Sequence, residues 1–307
     1  MAEARPGRGR PSLTRTRRHS GSPGGEERIP GIILDVNRAG KHGPYPSFTC
    51  CNVRIDPLPL DRAADRIDAQ ARQGGPHRVH LCNANNLAIA TRDVEYARLL
   101  NRGALNLADG SSLVLVVRIF RIARLTQSQR PRGADVLDRT VQVGVPGRIR
   151  HYLYGSDAET VGALARTLQE RHPGCRIVGA EAPPFRPLTA AEETAAVARM
   201  VAARPHIVWV ALGAPRQDVF IDAVASRVGT TMVAVGAAFD FLAGTKPEAP
   251  RWVQRCGLEW VFRLATEPRR LWRRYLVGNL VFLAGLTRGV KVVGIGEPEP
   301  GGTVDRG

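Results

Sequence analysis

The sequence predicts an α/β fold built on a parallel sheet, followed by a basic helical appendage. Three observations predict it. From Ile149 to Val235, apolar runs alternate with segments of helical spacing, and the runs are apolar throughout, as in Ile207 to Leu212 (IVWVAL) and Thr231 to Val235 (TMVAV). Strands without a polar face are covered on both sides, the mark of a parallel sheet. Glycines follow the strand ends at Gly155, Gly213 and Gly236, where an open α/β sheet binds its ligand. Finally, Gly236 to Tyr275 ends in a run crowded with Trp252, Trp260, Trp272 and seven arginines.

Taken in order, residues 1–50 read as a disordered basic arm rich in Arg, Gly and Pro, relieved only by Ile32-Ile33-Leu34, a candidate short strand. Folded sequence is expected from Cys51, with an α/β core over 51–250. Val53 to Ile55 reads as a strand, and Asp61 to Arg72 has helical spacing, with Ala64, Ile67 and Ala71 on one face. Gly74-Gly75-Pro76 breaks it. Arg78 to Cys82 reads as a strand ending at Asn83-Ala84-Asn85-Asn86, before a helix from Leu87 to Asn101. Asparagines between a strand and a helix are natural caps, and they also stand where ligand contacts are made. Leu105 to Ala108 is a strand closed by Asp109-Gly110, with an apolar helix from Leu113 to Arg121 beyond it. Asp109 therefore suits either an N-cap acid or a general base at the rim of a site.

Ala134 to Thr140 begins a helix. The strands Ile149 to Gly155, Cys175 to Gly179, Ile207 to Leu212 and Thr231 to Val235 then alternate with helices Ala158 to Arg171, Thr189 to Ala203 and one ending near Arg227. Thr189 with Glu192 three residues on is a capping-box pattern. The core divides into a first half of about 51–145 and a second of about 146–250, followed by an Arg/Trp-rich appendage at 251–290 and a flexible tail at 291–307.

The net charge of +16 calls for an anionic partner: nucleic acid, an anionic membrane surface or a phosphorylated substrate. Part of it belongs to the arm; nearly half of the remaining excess lies in 251–274. No helix-turn-helix, zinc or RNA-binding signature supports nucleic acid. The five cysteines form no CxxC pair or zinc pattern, which fits a reducing compartment. Cys82 is either a nucleophile or a buried free thiol. No apolar region follows the basic amino terminus, and no run approaches the roughly 18 apolar residues of a spanning helix. Leu276 to Leu286 either lies on a membrane or packs in a core.

Asn85, Asp109, Arg130, Gln217 and Asp240 all fall at or just after strand ends, so a sheet gathers them onto one edge. No GxGxxG, GxxxxGK[ST] or Asp-x-Asp accompanies them, and nothing in the spacing demands a metal. The pattern suits a phosphorylated donor whose leaving diphosphate is balanced by arginines while a carboxylate takes a proton. Solvated arginines on a surface helix would explain the basic run equally well.

These residues stand in blocks whose order and spacing resemble the WecG/TagA/CpsF glycosyltransferases, glycosyltransferase family 26. The blocks run from Val79 to Phe282: Asn83-Ala84-Asn85, Ala108-Asp109-Gly110, Arg130-Pro131-Arg132-Gly133-Ala134-Asp135, Tyr154-Gly155, Ala211 to Asp218, Val235 to Gly244, Ala249-Pro250-Arg251-Trp252, Gly257-Leu258-Glu259-Trp260, Phe262-Arg263-Leu264 and Glu267 to Leu271. The resemblance implies a Rossmann-like fold of the GT-E type and an inverting, metal-independent transfer from a UDP-sugar, N-acetylmannosamine-like or another hexose derivative. The acceptor it implies is a polyprenyl-diphosphate-linked glycan of the cell envelope or an exopolysaccharide. It implies a cytoplasmic enzyme, peripheral at the inner face of the plasma membrane, that can self-associate. By position, Asp109 matches the catalytic base; Asn83 and Asn85 match a Thr-x-Asn element of the pocket; Arg130 and Gln217 match further pocket positions. Asp240 follows the Gly-rich turn and is expected at the substrate. Arg263, Arg269, Arg270, Arg273 and Arg274 fall in the appendage, where family arginines lie near the diphosphate. Two positions depart from the pattern: Asn83 replaces threonine, and Asp218 stands where many members have glutamate. Both are expected near the pocket and bear on the donor sugar. A soluble acceptor, or a basic nucleic-acid-binding protein, are the alternative readings.

Overall fold

A computed structural model describes residues 32–35, 47–119, 129–286 and 290–293. Its centre is a six-stranded, all-parallel sheet. The strands are β4 (Arg78–Cys82), β5 (Leu105–Ala108), β6 (Arg150–Gly155), β7 (Arg176–Glu181), β8 (Ile207–Ala211) and β9 (Thr231–Ala234), in the order β5-β4-β9-β8-β6-β7. Strands from both halves of the core thus share one sheet, joined where β4 pairs with β9.

Side-chain alternation explains why both faces are covered. Leu81, Leu107, Leu153, Trp209 and Val233 point to one face, where they pack with α1 (Leu60–Gln73), α5 (Gly133–Gly144), α6 (Ala158–Arg171) and α9 (Ala238–Leu242). Tyr152, Tyr154, Val208, Val210, Met232 and Ala234 point to the other, against α7 (Ala190–Ala203) and α8 (Arg216–Val228). Every residue of β8 and β9 is buried. This is a Rossmann-like arrangement.

A third cluster lies beside the sheet. It joins α2 (Ala84–Arg92), α3 (Val94–Asn101) and α4 (Ser111–Ile119) to the hairpin of β2 (Ser47–Cys50) and β3 (Val53–Ile55), with Phe282 contributed from the carboxyl-terminal side. The stretch expected as one helix from Leu87 to Asn101 is two helices. Asp93 ends α2 and caps α3, its carboxylate accepting from the backbone N–H of Glu95 and Tyr96 at 3.0 Å each.

Strand structure also enters the stretches read as arm and tail. β1 (Ile32–Asp35), β10 (Val290–Val293), β2 and β3 form a second sheet in the order β1-β10-β2-β3. The β2–β3 turn places Cys51 and Asn52 at φ 52° and 63°, the left-handed pair that a two-residue hairpin loop needs. Phe48 and Cys50 of β2 are buried in the core, so folded chain begins before Cys51. Residues 1–31, 36–46, 120–128, 287–289 and 294–307 lie outside the described residues, and so do most of the expected arm and tail.

Beyond the sheet follow α10 (Arg251–Arg255), α11 (Glu259–Thr266) and α12 (Pro268–Leu286). Leu271, Phe282 and Gly285 of α12 are buried, and an added Cβ at Gly285 would stand 2.6 Å from Cys51 Sγ. Trp272, Val277, Leu280 and Leu283 are exposed on the same helix. The apolar run at 276–286 thus packs one side in the core, as one of the two readings expected, and leaves Val277, Leu280 and Leu283 exposed on the other. Among the described residues no helix is long and apolar enough to cross a membrane.

Candidate active site

The carboxyl ends of β4, β5, β6, β8 and β9 converge on a cavity of about 490 Å³. Asn83, Asp109, Ser156, Gln217 and Asp240, each just past a strand, line it, and Glu259 and Arg263 reach it from α11. A smaller cavity of about 90 Å³ adjoins, lined by Asn85, Ser111, Arg130, Trp260 and Asn279 among others. Asn83, Asp109, Glu259 and Arg263 line both cavities. Asp109 therefore stands at the junction of two spaces of unequal size.

Local chemistry places each of these side chains. Asp109 follows β5, and its backbone N–H donates to Cys82 O at 2.8 Å, which ties the two strand ends together. Asn83 is the N-cap of α2: its side chain accepts from Asn85 N at 3.0 Å, and Asn86 Oδ1 accepts from Asn83 N at 3.3 Å. Threonine is also an N-cap residue, so asparagine at 83 keeps the cap where the family pattern has Thr. Gln217 is buried, and its Oε1 accepts from Gly236 N at 3.0 Å, fixing the turn after β9. Gly133 opens α5 with no room to spare: an added Cβ would lie 2.5 Å from Val235 O. Asp240 accepts from Ser156 Oγ at 3.1 Å and from Lys246 Nζ at 2.8 Å, which places a cation on the cavity wall.

The electrostatics centre on Asp109. Its carboxyl is pushed up to about 6, first by desolvation; the charge of Arg130 opposes that rise, Glu259 adds to it, and Arg132 and Arg263 oppose it. Such a carboxylate is a stronger base than a solvated aspartate and is mostly ionised at pH 7. Arg130 and Arg132, both buried, are each paired with Glu259, and Arg132 with Glu248 as well. Arg263 lies 5.3 Å from the Phe241 ring centroid, stacked as a cation over the ring at the cavity wall.

The structure thus brings together Asn83, Asn85, Asp109, Arg130, Gln217, Asp240 and Arg263. Arg269 is not among them. Arg269 is exposed in the first turn of α12 and lines neither cavity, and the side chains of Arg270, Arg273 and Arg274 lie outside the described residues. Asp218 lines neither cavity but stands behind the wall of the larger one: it is fully buried, bound by His80 Nδ1 at 2.8 Å and Tyr96 OH at 2.8 Å, and it accepts at 3.4 Å from Nδ2 of Asn86, which lines that cavity. Cys82 is equally buried and its thiol is pushed well up, chiefly by desolvation, so the buried-thiol reading holds. Sequence reasoning passed over Arg132, Lys246 and Glu259. Arg132 and Glu259 stand inside the quoted blocks, and only their shared ion pairs reveal that those blocks meet. Among the described residues no group of three His, Cys, Asp or Glu side chains is placed to hold a metal ion.

Comparison with known proteins agrees with this geometry. The family described as "Glycosyl transferase WecG/TagA/CpsF family" matches residues 48–292. Among curated proteins, an N-acetylglucosaminyldiphosphoundecaprenol N-acetyl-beta-D-mannosaminyltransferase of Bacillus subtilis (strain 168) is 28% identical over 188 residues, 61% of this chain and 70% of that enzyme. The family match spans most of the chain and every element that lines the two cavities, and the protein belongs to the WecG/TagA/CpsF glycosyltransferase family.

Proposed function

We propose that this glycosyltransferase moves a hexose derivative from a UDP-sugar to a glycan carried on a polyprenyl diphosphate, by direct displacement without a metal. The observation that carries the reading is Asp109 at the junction of the two cavities, desolvated and ringed by arginines. The larger cavity has room for the nucleotide and its sugar, and Arg132, Lys246 and Arg263 on its wall can balance a diphosphate. The smaller cavity, with Asn85, Ser111 and Asn279, offers hydrogen bonds to an acceptor hydroxyl.

In this reading Asp109 takes the proton of the acceptor hydroxyl as its oxygen attacks the anomeric carbon from the face opposite the diphosphate. The bond from that carbon to the diphosphate oxygen breaks, the configuration inverts, and UDP leaves with the electron pair. The arginines stabilise that charge in a partly desolvated site, where such stabilisation is largest. The Bacillus relative is named for transfer of N-acetylmannosamine to a lipid-diphosphate-linked N-acetylglucosamine, which supports a related donor and acceptor here. Exposed Trp252, Trp260, Trp272, Leu280 and Leu283 and the net charge of +16 support a peripheral seat on an anionic membrane, where such an acceptor resides.

The test is UDP release from a set of UDP-sugars, with and without a polyprenyl-diphosphate-linked acceptor, before and after EDTA. Acceptor-dependent release unaffected by EDTA is expected. Strong inhibition by EDTA, reversed by manganese, would overturn the metal-free reading; equal rates with a soluble glycan acceptor would overturn the lipid acceptor.

A further inference from the structure

The appendage meets the reacting carboxylate through one side chain. Glu259 begins α11, its carboxylate is only 17% exposed, and it lines both cavities with Asp109. It pairs with Arg130 through one oxygen, and that same oxygen lies 3.2 Å from Arg132 Nε. Those guanidiniums are 2% and 9% exposed, and a cation so far from water needs a counter-charge. None of the eight residues of α11 is buried, and Arg263 adds a cation over Phe241 at the sheet edge. Charge therefore contributes to holding the helix at the site.

We propose that Glu259 is a positioning residue: it clamps Arg130 and Arg132 beside Asp109, so that the seating of α11 sets the charge around the base. The proposal rests on Asp109 being the base. Asp109 is faced by Arg130 and Arg132 from the segment entering α5, by Glu259 and Arg263 from α11, and by the Cys82 thiol from the end of β4. With α11 in place, Glu259 offsets the two motif arginines and Asp109 keeps the basicity its task requires. With the Glu259 charge gone, three guanidiniums face one carboxylate, which holds the carboxylate ionised to lower pH and makes it a weaker base.

The experiment compares kcat/KM against pH for the full chain, Glu259→Gln, Glu259→Asp and Asp109→Asn. In Glu259→Gln the acid limb is expected to move down by about one pH unit with a plateau about tenfold lower. Glu259→Asp, which keeps the charge, is expected to hold the acid limb at the parent position. An unmoved acid limb in Glu259→Gln, with Asp109→Asn inactive, would overturn the role of Glu259 and leave the base reading standing. Should Asp109→Asn remain active, the base reading falls. The Asp109 carboxyl, followed by carbon-13 NMR and assigned by its loss in Asp109→Asn, then decides for Glu259: a lower titration midpoint in Glu259→Gln supports the clamp, and an unchanged one overturns it.

Discussion

Asp109 occupies a place where its charge is costly, and that cost separates function from stability. Its folded value, about 6, lies above the ordinary 3.8. The proton is thus held more tightly in the folded chain, so the group's contribution is fully present below pH 3.8 and is lost as pH rises to about 6. Above pH 6 the ionised carboxylate weighs against folding by an amount on the order of 3 kcal/mol. Asp109→Asn is therefore expected to melt a few degrees higher than the parent at pH 7.5, with the difference vanishing near pH 3.5; differential scanning calorimetry at the two values checks this. Gly133→Ala is expected to go the other way, losing about 1–3 kcal/mol in a urea titration, because its Cβ meets the Val235 carbonyl. Asp109, Asn85 and Gln217 were legible in the sequence because each follows a strand end. Arg132, Glu259 and Lys246 were not, because their importance lies in pairs formed across more than 100 residues or, for Lys246, in Asp240 on an adjacent turn.

Among the elements, the parallel strands were legible because apolar runs without a polar face admit few other placements, and β4, β5, β6, β8 and β9 fall within two residues of expectation. The second sheet was legible only in pieces. Ile32 to Leu34 and Val53 to Ile55 read as short strands and are β1 and β3, whereas β2 and β10 went unread, because each is four residues long and β10 pairs with segments more than 200 positions away. The division of α2 from α3 turned on the Asp93 cap, a signal present in the sequence but hidden inside a good helical period. α12 carries the clearest energetic consequence. Phe282 is 3% exposed and fills the cluster with Leu87 and Leu113, so Phe282→Ala is expected to lose about 3–5 kcal/mol, read by chemical denaturation. Leu280 and Leu283 face outward on the same helix, more than half exposed, and contribute little to the core. Replacing both with Glu is expected to leave the melting temperature nearly unchanged while abolishing flotation with vesicles of anionic lipid. Retained flotation would place the membrane contact elsewhere.

For the whole molecule, one sheet edge gathers a desolvated carboxylate, a turn-fixing glutamine and a wall of cations, and the appendage meets it through Glu259 and Arg263. The family blocks quoted from the sequence are the stretches that meet there, which is why their order was informative when each alone was weak. The claim on which the account depends is that Asp109 removes the acceptor proton. Acceptor-dependent UDP release by Asp109→Asn, measured beside the affinity of the same variant for UDP, tests it most directly. The account predicts turnover lower by about 10²–10⁴-fold with UDP affinity nearly intact. Turnover within a few-fold of the parent chain would contradict it.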